Sequence, residues 1–177
     1  MNADSIKSEA IEWAKSIAIA VVLAFLLKTF VFNSTKVVGT SMFPTLSEND
    51  RVFVNKIVYD ISEPQRGDII TLEAPDREDA EYIKRIIGLA GDTVEIKEGK
   101  VYVNREQLVE DYIAEGAYTD AYDTSKWEIP EGYVFVMGDN RAFRASKDSR
   151  SLGLIEVDSI VGKASIRYFP LDKIDKF

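Results

Sequence analysis

The fold is indicated most directly by residues 93–104, which read TVEIKEGKVYVN. Apolar and polar side chains alternate on both sides of the dipeptide Glu98-Gly99. The apolar positions are Val94, Ile96, Val101 and Val103. A period of two places these side chains on one face of a strand, and two such runs joined by a short Gly-containing turn are typical of a β-hairpin. We therefore predict a hairpin here, in a chain of the mainly β class.

Short runs rich in Val, Ile, Phe and Tyr recur on both sides of this hairpin, separated by Gly, Pro, Asp and Asn. Such runs predict strands. The predicted strands are Lys36–Val38, Val52–Val58, Asp68–Leu72, Tyr82–Leu89, Thr93–Lys97, Lys100–Asn104, Tyr133–Met137 and Ile160–Tyr168. Between Val109 and Trp127 the composition becomes acidic and rich in small residues, which indicates a solvated insertion. Residues 36–177 are thus predicted to form one mostly antiparallel β domain.

The N-terminal part of the chain has a different pattern. Residues 13–32 read WAKSIAIAVVLAFLLKTFVF, and their apolar side chains would cover all sides of a helix. A helix rises about 1.5 Å per residue, so this stretch would reach roughly 30 Å, which is enough to cross a bilayer. We predict a transmembrane anchor at 13–32, preceded by a cytoplasmic segment at 1–12.

Two alternatives to the anchor are weaker. A cleaved secretory leader would need a small-x-small site after the apolar run, but residues 33–40 read NSTKVVGT. A buried core helix of this length is uncommon in so small a soluble domain. Lysines lie near both ends of the stretch, so the positive-inside rule does not decide its orientation.

The composition excludes several classes of function. Acidic residues outnumber basic ones by 30 to 22, for a net charge of -8, and we therefore predict no nucleic-acid partner. The chain contains no His and no Cys, which excludes a Ser-His-Asp triad, a thiol nucleophile and the common zinc motifs. A hydrolase of this composition would depend on carboxylates, Lys, Tyr or a metal with oxygen ligands. The acidic residues lack the spacing of a calcium loop, and we predict neither a metal nor a cofactor.

A candidate nucleophile lies in the segment GTSMFPT at 39–45. Gly39 before Ser41 and Pro44 after it predict a tight turn that presents the hydroxyl beside backbone N–H groups. Such groups are suitable donors to the oxyanion of an acyl-transfer reaction. Taken alone, a segment of this kind is more often an ordinary Ser/Pro loop that caps a strand.

A candidate base lies in the predicted strand Tyr82–Leu89. Strand geometry places Lys84 on the same face as Tyr82 and Ile86, where desolvation would favour the neutral amine. A free lysine titrates near 10.4, so a base at neutral pH requires its pKa to fall by about three units. From periodicity alone, a lysine that extends to solvent from a sheet edge is the simpler interpretation.

A third polar segment follows the predicted strand Tyr133–Met137. It reads GDNR at 138–141 and SKDSR at 146–150. Asp139 and Asp148 lie next to Arg141 and Arg150 in sequence, and together they could form charge-assisted pairs that fix the loop. Ser146 is a candidate to orient a lysine amine.

The order of these segments resembles that of the bacterial type I signal peptidases, the Ser–Lys proteases of the S26 type, over nearly the whole chain. The apolar N-terminal stretch is followed by GTSMFPTL at 39–46, RGDII at 66–70, YIKRIIGLAGD at 82–92, GDNR and SKDSR. The family's nucleophile motif matches Ser41 to Leu46, and its Lys-Arg-x-x-Gly-x-x-Gly-Asp motif matches Lys84 to Asp92.

The resemblance implies a catalytic pair in which Ser41 is the nucleophile and Lys84 the general base. It implies that Ser146 bonds the base and that the oxyanion is bound near Ser41 and Gly39. Supporting roles are expected for Asp148, Arg150 and Asp139, and shallow substrate pockets at Met42, Tyr82 and Ile83.

The resemblance also implies an antiparallel β catalytic domain at 36–177, of the type shared with self-cleaving repressors, with a smaller β lobe inserted at 93–130. The expected activity is removal of signal peptides from exported preproteins after small residues at −1 and −3. The expected location is the plasma membrane, single-pass, with the catalytic domain on the extracytoplasmic side. The expected partners are preprotein leaders and the lipid bilayer.

Three features differ from the family pattern, and one of them is Ala90, which stands where the family commonly has Pro. Four residues, Ala142–Ala145, separate GDNR from SKDSR where two are usual, which bears on the contact between Ser146 and Lys84. Gly39 stands where some members carry a Ser whose hydroxyl helps to bind the oxyanion, so a backbone donor would have to replace it.

Two alternative functions differ in class. One is a non-proteolytic assembly factor on the same fold that holds a partner such as a pilin, and the presence of both Ser41 and Lys84 disfavours it. The other is a self-cleaving repressor, which the apolar N-terminal stretch and the lack of a DNA-binding helix pair disfavour. The sequence leaves open the oligomeric state and the choice between general and dedicated substrates.

Overall fold

The computed structural model describes residues 3–26 and 32–177. The first helix, α1, spans Ala3–Leu26, and its side chains from Ile11 to Phe25 are exposed. No helix in these two ranges is long and apolar enough to cross a bilayer. The predicted anchor at 13–32 includes residues 27–31, which lie outside the described part.

The rest of the described chain is mainly β. Its strands are β1 (Phe32–Lys36), β2 (Arg51–Asn55), β3 (Ile69–Glu73), β4 (Glu81–Gly88), β5 (Thr93–Lys97), β6 (Lys100–Val103), β7 (Glu106–Gln107), β8 (Lys126–Glu128), β9 (Tyr133–Met137), β10 (Ile155–Glu156), β11 (Ile160–Phe169) and β12 (Asp175–Lys176). Two short helices, α2 (Val58–Ile61) and α3 (Ser149–Leu152), and 3-10 turns at Val157–Ser159 and Leu171–Lys173 connect them.

The strands form two antiparallel sheets. The larger has the order β1-β2-β11-β3-β4-β9-β10, with β12 paired to β11. The smaller has the order β7-β6-β5-β8 and uses only residues between Thr93 and Glu128. The mainly β, antiparallel class predicted from the sequence is therefore confirmed.

Strand β4 contributes side chains to hydrophobic clusters on both faces of the larger sheet. Ile86 and Ile87 are both fully buried, and because successive side chains of a strand point to opposite faces, they pack into two different clusters. Ile87 packs with Val94 and Phe135, which joins the smaller sheet to the larger one. Ile86 packs on the opposite face with the apolar side chains of β3 and β9.

Most predicted strands are present within one or two residues, and the hairpin at 93–104 pairs Val94 with Val103 and Ile96 with Val101. The predicted strand at Lys36–Val38 was displaced, because the strand in fact ends at Lys36 and starts at Phe32. The anchor predicted at 13–32 includes Phe32, and this boundary is wrong, because Phe32 pairs with Asn55 in the sheet. Pairing with β2 orders the polar residues 33–36 as a strand although their own β-propensity is mixed.

Candidate active site

Ser41 lies in a turn that packs against the hydrophobic core. Its neighbour Met42 is 1% exposed and Leu46 is fully buried, and both pack against the apolar side chains of β2. The turn closes through the N–H of Phe43, which donates to the carbonyl of Thr40 at 3.1 Å, and Gly39 enters it with φ +83°. Such a φ is accessible to glycine without steric cost. Met42 and Leu46 thus fix the turn on its core side, and Ser41 is left half-exposed on the other side.

Lys84 reaches this serine from the middle of β4. Its Nζ lies 3.1 Å from Ser41 Oγ and donates to the carbonyl of Ile83 at 2.8 Å. The residue is only 3% exposed, because it stands opposite Ile70 in the β3–β4 register and next to Ile86 on the same face. The two predicted partners, 43 positions apart in sequence, are therefore brought into hydrogen-bonding contact.

The surroundings of Lys84 favour its neutral form. Burial lowers the pKa of its amine from the ordinary 10.5 to about 8, against the opposing fields of Asp148 and Asp139. The aromatic ring of Tyr82 covers the amine on one side, with its centroid 5.1 Å from Nζ. A lysine with this pKa is neutral in a useful fraction of molecules near neutral pH.

Three buried arginine–carboxylate ion pairs hold the loop that surrounds Ser41 and Lys84. Asp139 accepts two bonds from Arg85, at 2.9 and 2.7 Å, and a third at 2.5 Å from the hydroxyl of Thr45. Asp148 accepts two bonds from Arg150, both at 2.8 Å. Asp139 thus joins the strand of the candidate base to the segment of the candidate nucleophile.

The third pair corrects the predicted network. Asp139 was expected beside Arg141, but it pairs with Arg85, and Arg141 instead binds Glu110 and the hydroxyl of Thr119. The acidic stretch at 109–127 was predicted to be solvated, yet the side chain of Glu110 is only 7% exposed. Asp139 and Arg141 are close in sequence, but their side chains bind different parts of the chain.

Ser146 occupies a different position from the predicted one. It is 3% exposed, but its Oγ has no hydrogen-bond partner among the described residues, so it does not bond Lys84. The Oγ lies against Gly138 instead, where an added Cβ would be 2.4 Å from it. Ser146 follows the spacer Ala142–Ala145, which is two residues longer than is usual in the family.

The residues predicted to form substrate pockets lie together along a groove of about 100 Å³ beside Ser41 and Lys84. Met42, Tyr82 and Ile83 line it, together with Val37 and Val38. In the described residues β4 pairs with β9 only from Arg85 onward, so Glu81–Lys84 offers a free backbone edge on that side. An extended peptide could add to this edge as a further strand.

Sequence reasoning missed several residues that build this site. Arg85 and Thr45 hold Asp139, and the ring of Tyr112 lies 4.0 Å from the guanidinium carbon of Arg85. Both Arg85 and Thr45 fall inside the quoted motifs, which was the available signal. Nothing in the sequence around Tyr112 or Glu110 indicates their burial.

Comparisons with known proteins show similarity to one family of proteases. The sequence model of the family described as signal peptidase, peptidase S26, matches residues 10–169. The chain is 42% identical to a signal peptidase I of Bacillus licheniformis, covering 96% of this chain and 94% of that protein. It is 44% identical to signal peptidase I S of Bacillus subtilis strain 168, covering 96% and 95%. A crystal structure of a signal peptidase I from Enterococcus faecalis V583 is similar with a TM-score of 0.48 and 34% identity, over 59% of this chain and 99% of that one. The chain therefore belongs to the peptidase S26 family of signal peptidases.

Proposed function

We propose that this chain removes signal peptides from exported preproteins, with Ser41 as nucleophile and Lys84 as general base. The observation that carries the proposal is the 3.1 Å contact between Lys84 Nζ and Ser41 Oγ at a buried lysine whose pKa is lowered to about 8. A neutral amine that already donates to the carbonyl of Ile83 has its lone pair free to accept the serine proton. Family membership supports the reaction class, and the contact between the two side chains supports the roles proposed for them.

The chemistry follows from these contacts. Lys84 takes the proton of the Ser41 hydroxyl while Oγ forms a bond to the scissile carbonyl carbon of the leader. The C–N bond then breaks, and the leaving amine of the mature chain takes the proton from the Lys84 ammonium. A water that Lys84 deprotonates afterwards hydrolyses the acyl-enzyme and releases the leader.

The groove favours substrates with small residues before the cut. A leader added along Glu81–Lys84 would alternate its side chains, so that those at −1 and −3 face the same wall. That wall carries Met42 and Ile83, and the space beside them is about 100 Å³. Alanine side chains fit such shallow pockets, whereas large ones would clash.

The test is cleavage of a preprotein whose leader ends in Ala-x-Ala, in detergent or lipid vesicles. Wild type should cut after the final Ala, and Ser41→Ala should not cut. Replacing the −1 Ala of the substrate with Phe should prevent cleavage by wild type. Failure of wild type to cut several such preproteins would contradict the proposal.

The membrane arrangement is a further part of the proposal. We infer a single-pass anchor that begins at residue 13 and ends before Phe32, a cytoplasmic segment at 1–12, and an extracytoplasmic catalytic domain that begins with β1 and carries an inserted lobe at 93–130. Support comes from the apolar run in sequence, from the helical state of Ala3–Leu26, and from the smaller sheet built between Thr93 and Glu128.

Topology can be tested cleanly because the chain has no cysteine of its own. Single replacements Glu9→Cys and Asp158→Cys would be treated in intact cells with a thiol reagent that cannot cross membranes. Labelling of Asp158→Cys alone is the expected result. Labelling of both variants, or of Glu9→Cys alone, would contradict the arrangement.

A further inference from the structure

Asn140 holds the two peptide groups that flank Ser41. Its side-chain Nδ2 donates to the carbonyl of Thr40 at 3.0 Å, and its backbone N–H donates to the carbonyl of Ser41 at 3.0 Å. Its Oδ1 accepts from the N–H of Ala142 at 3.2 Å, which fixes the amide so that the donor faces Thr40. No part of the mechanism above uses this residue.

These two bonds determine where the N–H of Ser41 points. A peptide group is planar and trans, so its N–H is directed opposite to its C=O. Since the carbonyl of Thr40 is held toward Asn140, the N–H of Ser41 points away from Asn140. Within the described residues this N–H has no acceptor, and Ser41 itself lines the substrate groove. A donor left free beside a nucleophile is suited to bind the oxyanion that forms on the substrate.

The segment that carries Asn140 is itself rigid. Gly138 lies so close that an added Cβ would be 2.3 Å from the carbonyl oxygen of Ser41. The N–H of Gly138 donates to Asp148 at 3.0 Å, and the next residue, Asp139, is bound twice by Arg85. The two hydrogen bonds from Asn140 to Thr40 and Ser41 are therefore held in place by buried charged groups rather than by a free loop.

We propose that Asn140 is a positioning residue that aligns the backbone N–H of Ser41 as the oxyanion donor. The proposal rests on the proposed function, since it concerns the transition state of that reaction. Position 39 is glycine, so this chain has no side-chain hydroxyl there to share the task. The oxyanion then depends on a backbone donor, whose direction Asn140 sets.

The test compares Asn140→Ala and Asn140→Asp with wild type on an Ala-x-Ala leader peptide. Asn140→Asp keeps an acceptor for Ala142 but places an oxygen against the carbonyl of Thr40. We expect kcat to fall roughly 10-fold to 100-fold in both variants, with KM changed less than about threefold, because the donor acts mainly in the transition state. A peptide boronate that forms a tetrahedral adduct with Ser41 should lose affinity by a similar factor, whereas the cleaved leader peptide should bind as before.

Two controls separate this role from others. Asn104→Ala removes a similar pair of side-chain bonds, to Asp92 and to the N–H of Thr93, in the smaller sheet, and should leave kcat unchanged even if it lowers Tm. The pH midpoint of kcat/KM in Asn140→Ala should remain that of wild type, since Asn140 does not contact Lys84.

The proposal would be overturned by a kcat within twofold of wild type, by a loss confined to KM, or by boronate affinity that does not follow kcat. A fall in kcat that follows Tm across all three variants would also overturn it, because it would assign Asn140 a structural role. Wild type cleaves the peptide in each of these cases, whereas failure of the proposed function would show as no cleavage by wild type.

Discussion

Raising the pH is expected to activate this chain with a midpoint near pH 8, because Lys84 must be neutral to accept the proton of Ser41. Burial lowers the pKa of Lys84 from 10.5 to about 8. At pH 7 a lysine with a pKa of about 8 is neutral in about 10% of molecules, whereas one with its ordinary pKa is neutral in about 0.03%. The site therefore increases the active fraction roughly 300-fold, which corresponds to about 3 kcal/mol.

The assay is the pH dependence of kcat/KM for a leader peptide without titratable side chains. The rate should rise about tenfold per pH unit at low pH, bend near pH 8 and then level off. The chain has no His and no Cys, so no other side chain with an ordinary pKa titrates in this range. The α-amino group does titrate there, and a chain acetylated at its N-terminus is the control. A midpoint above about 9.5, or a flat profile between about pH 6 and 9, would refute the reasoning.

The same pKa shift predicts how stability changes with pH. Between about pH 8 and 10.5 the unfolded chain keeps the proton of Lys84 while the folded chain has lost it, so the free energy of unfolding rises with pH in this window. Lys84→Met lacks this contribution and is the matched reference. Relative to Lys84→Met, wild type should gain about 3 kcal/mol across the window, as measured by denaturant unfolding. A constant difference between the two would contradict a depressed folded-state pKa.

Three further substitutions distinguish tight positions from tolerant ones. Gly138→Ala would place a methyl group 2.3 Å from the carbonyl of Ser41, and should lower kcat/KM at least about tenfold without changing the circular dichroism spectrum. Asp148→Asn leaves the fully buried guanidinium of Arg150 without its counter-charge, and should cost about 3–5 kcal/mol in denaturant unfolding. Lys147→Ala removes an ion pair whose lysine is 68% exposed, and should change Tm by less than about 2 °C in the same detergent. Wild-type activity in the first variant or wild-type stability in the second would contradict these assignments, as would a large Tm change in the third.

Much of the fold could be predicted because local pattern and tertiary environment agree. The hairpin at 93–104 and the strand Tyr133–Met137 were predicted with their observed bounds or within one residue, since both combine regular patterning with strong β formers. The strand at Phe32–Lys36 was misplaced because its residues FNSTK carry no alternating apolar signal. Its ladder with β2, rather than its own side chains, determines its conformation.

The candidate site was predictable to a different degree. Ser41 and Lys84 were found through motif order, and strand geometry correctly placed Lys84 on the buried face with Ile86. The pairing of Arg150 with Asp148, two positions away, was predictable, whereas the partners of Arg85 and Arg141 were not, because those two pairs join elements distant in sequence. Arg85 and Asp139 are 54 positions apart, and Glu110 and Arg141 are 31 apart. For Asp139 and Arg141, proximity in sequence suggested the wrong partners, since a charged loop satisfies its burial through whichever element packs against it.

Ser146 shows what a motif alone does not decide. The motif places a serine near the base, and the structure brings it to the back of Gly138 with its hydroxyl unpartnered among the described residues. Whether Ser146 bonds Lys84 therefore depends on loop length and side-chain rotation, and the identity of the residue specifies neither.

The most direct test of the Ser–Lys pair is single-turnover cleavage of an Ala-x-Ala preprotein by wild type, Ser41→Ala and Lys84→Met, with the products identified by mass spectrometry. Both substitutions change volume little, so each variant should keep the thermal transition of a folded protein. Cleavage after the final Ala by wild type, with a loss of at least about 1,000-fold in each variant, is the predicted result. Cleavage by Lys84→Met at a rate close to that of wild type would contradict the assignment of Lys84 as the base.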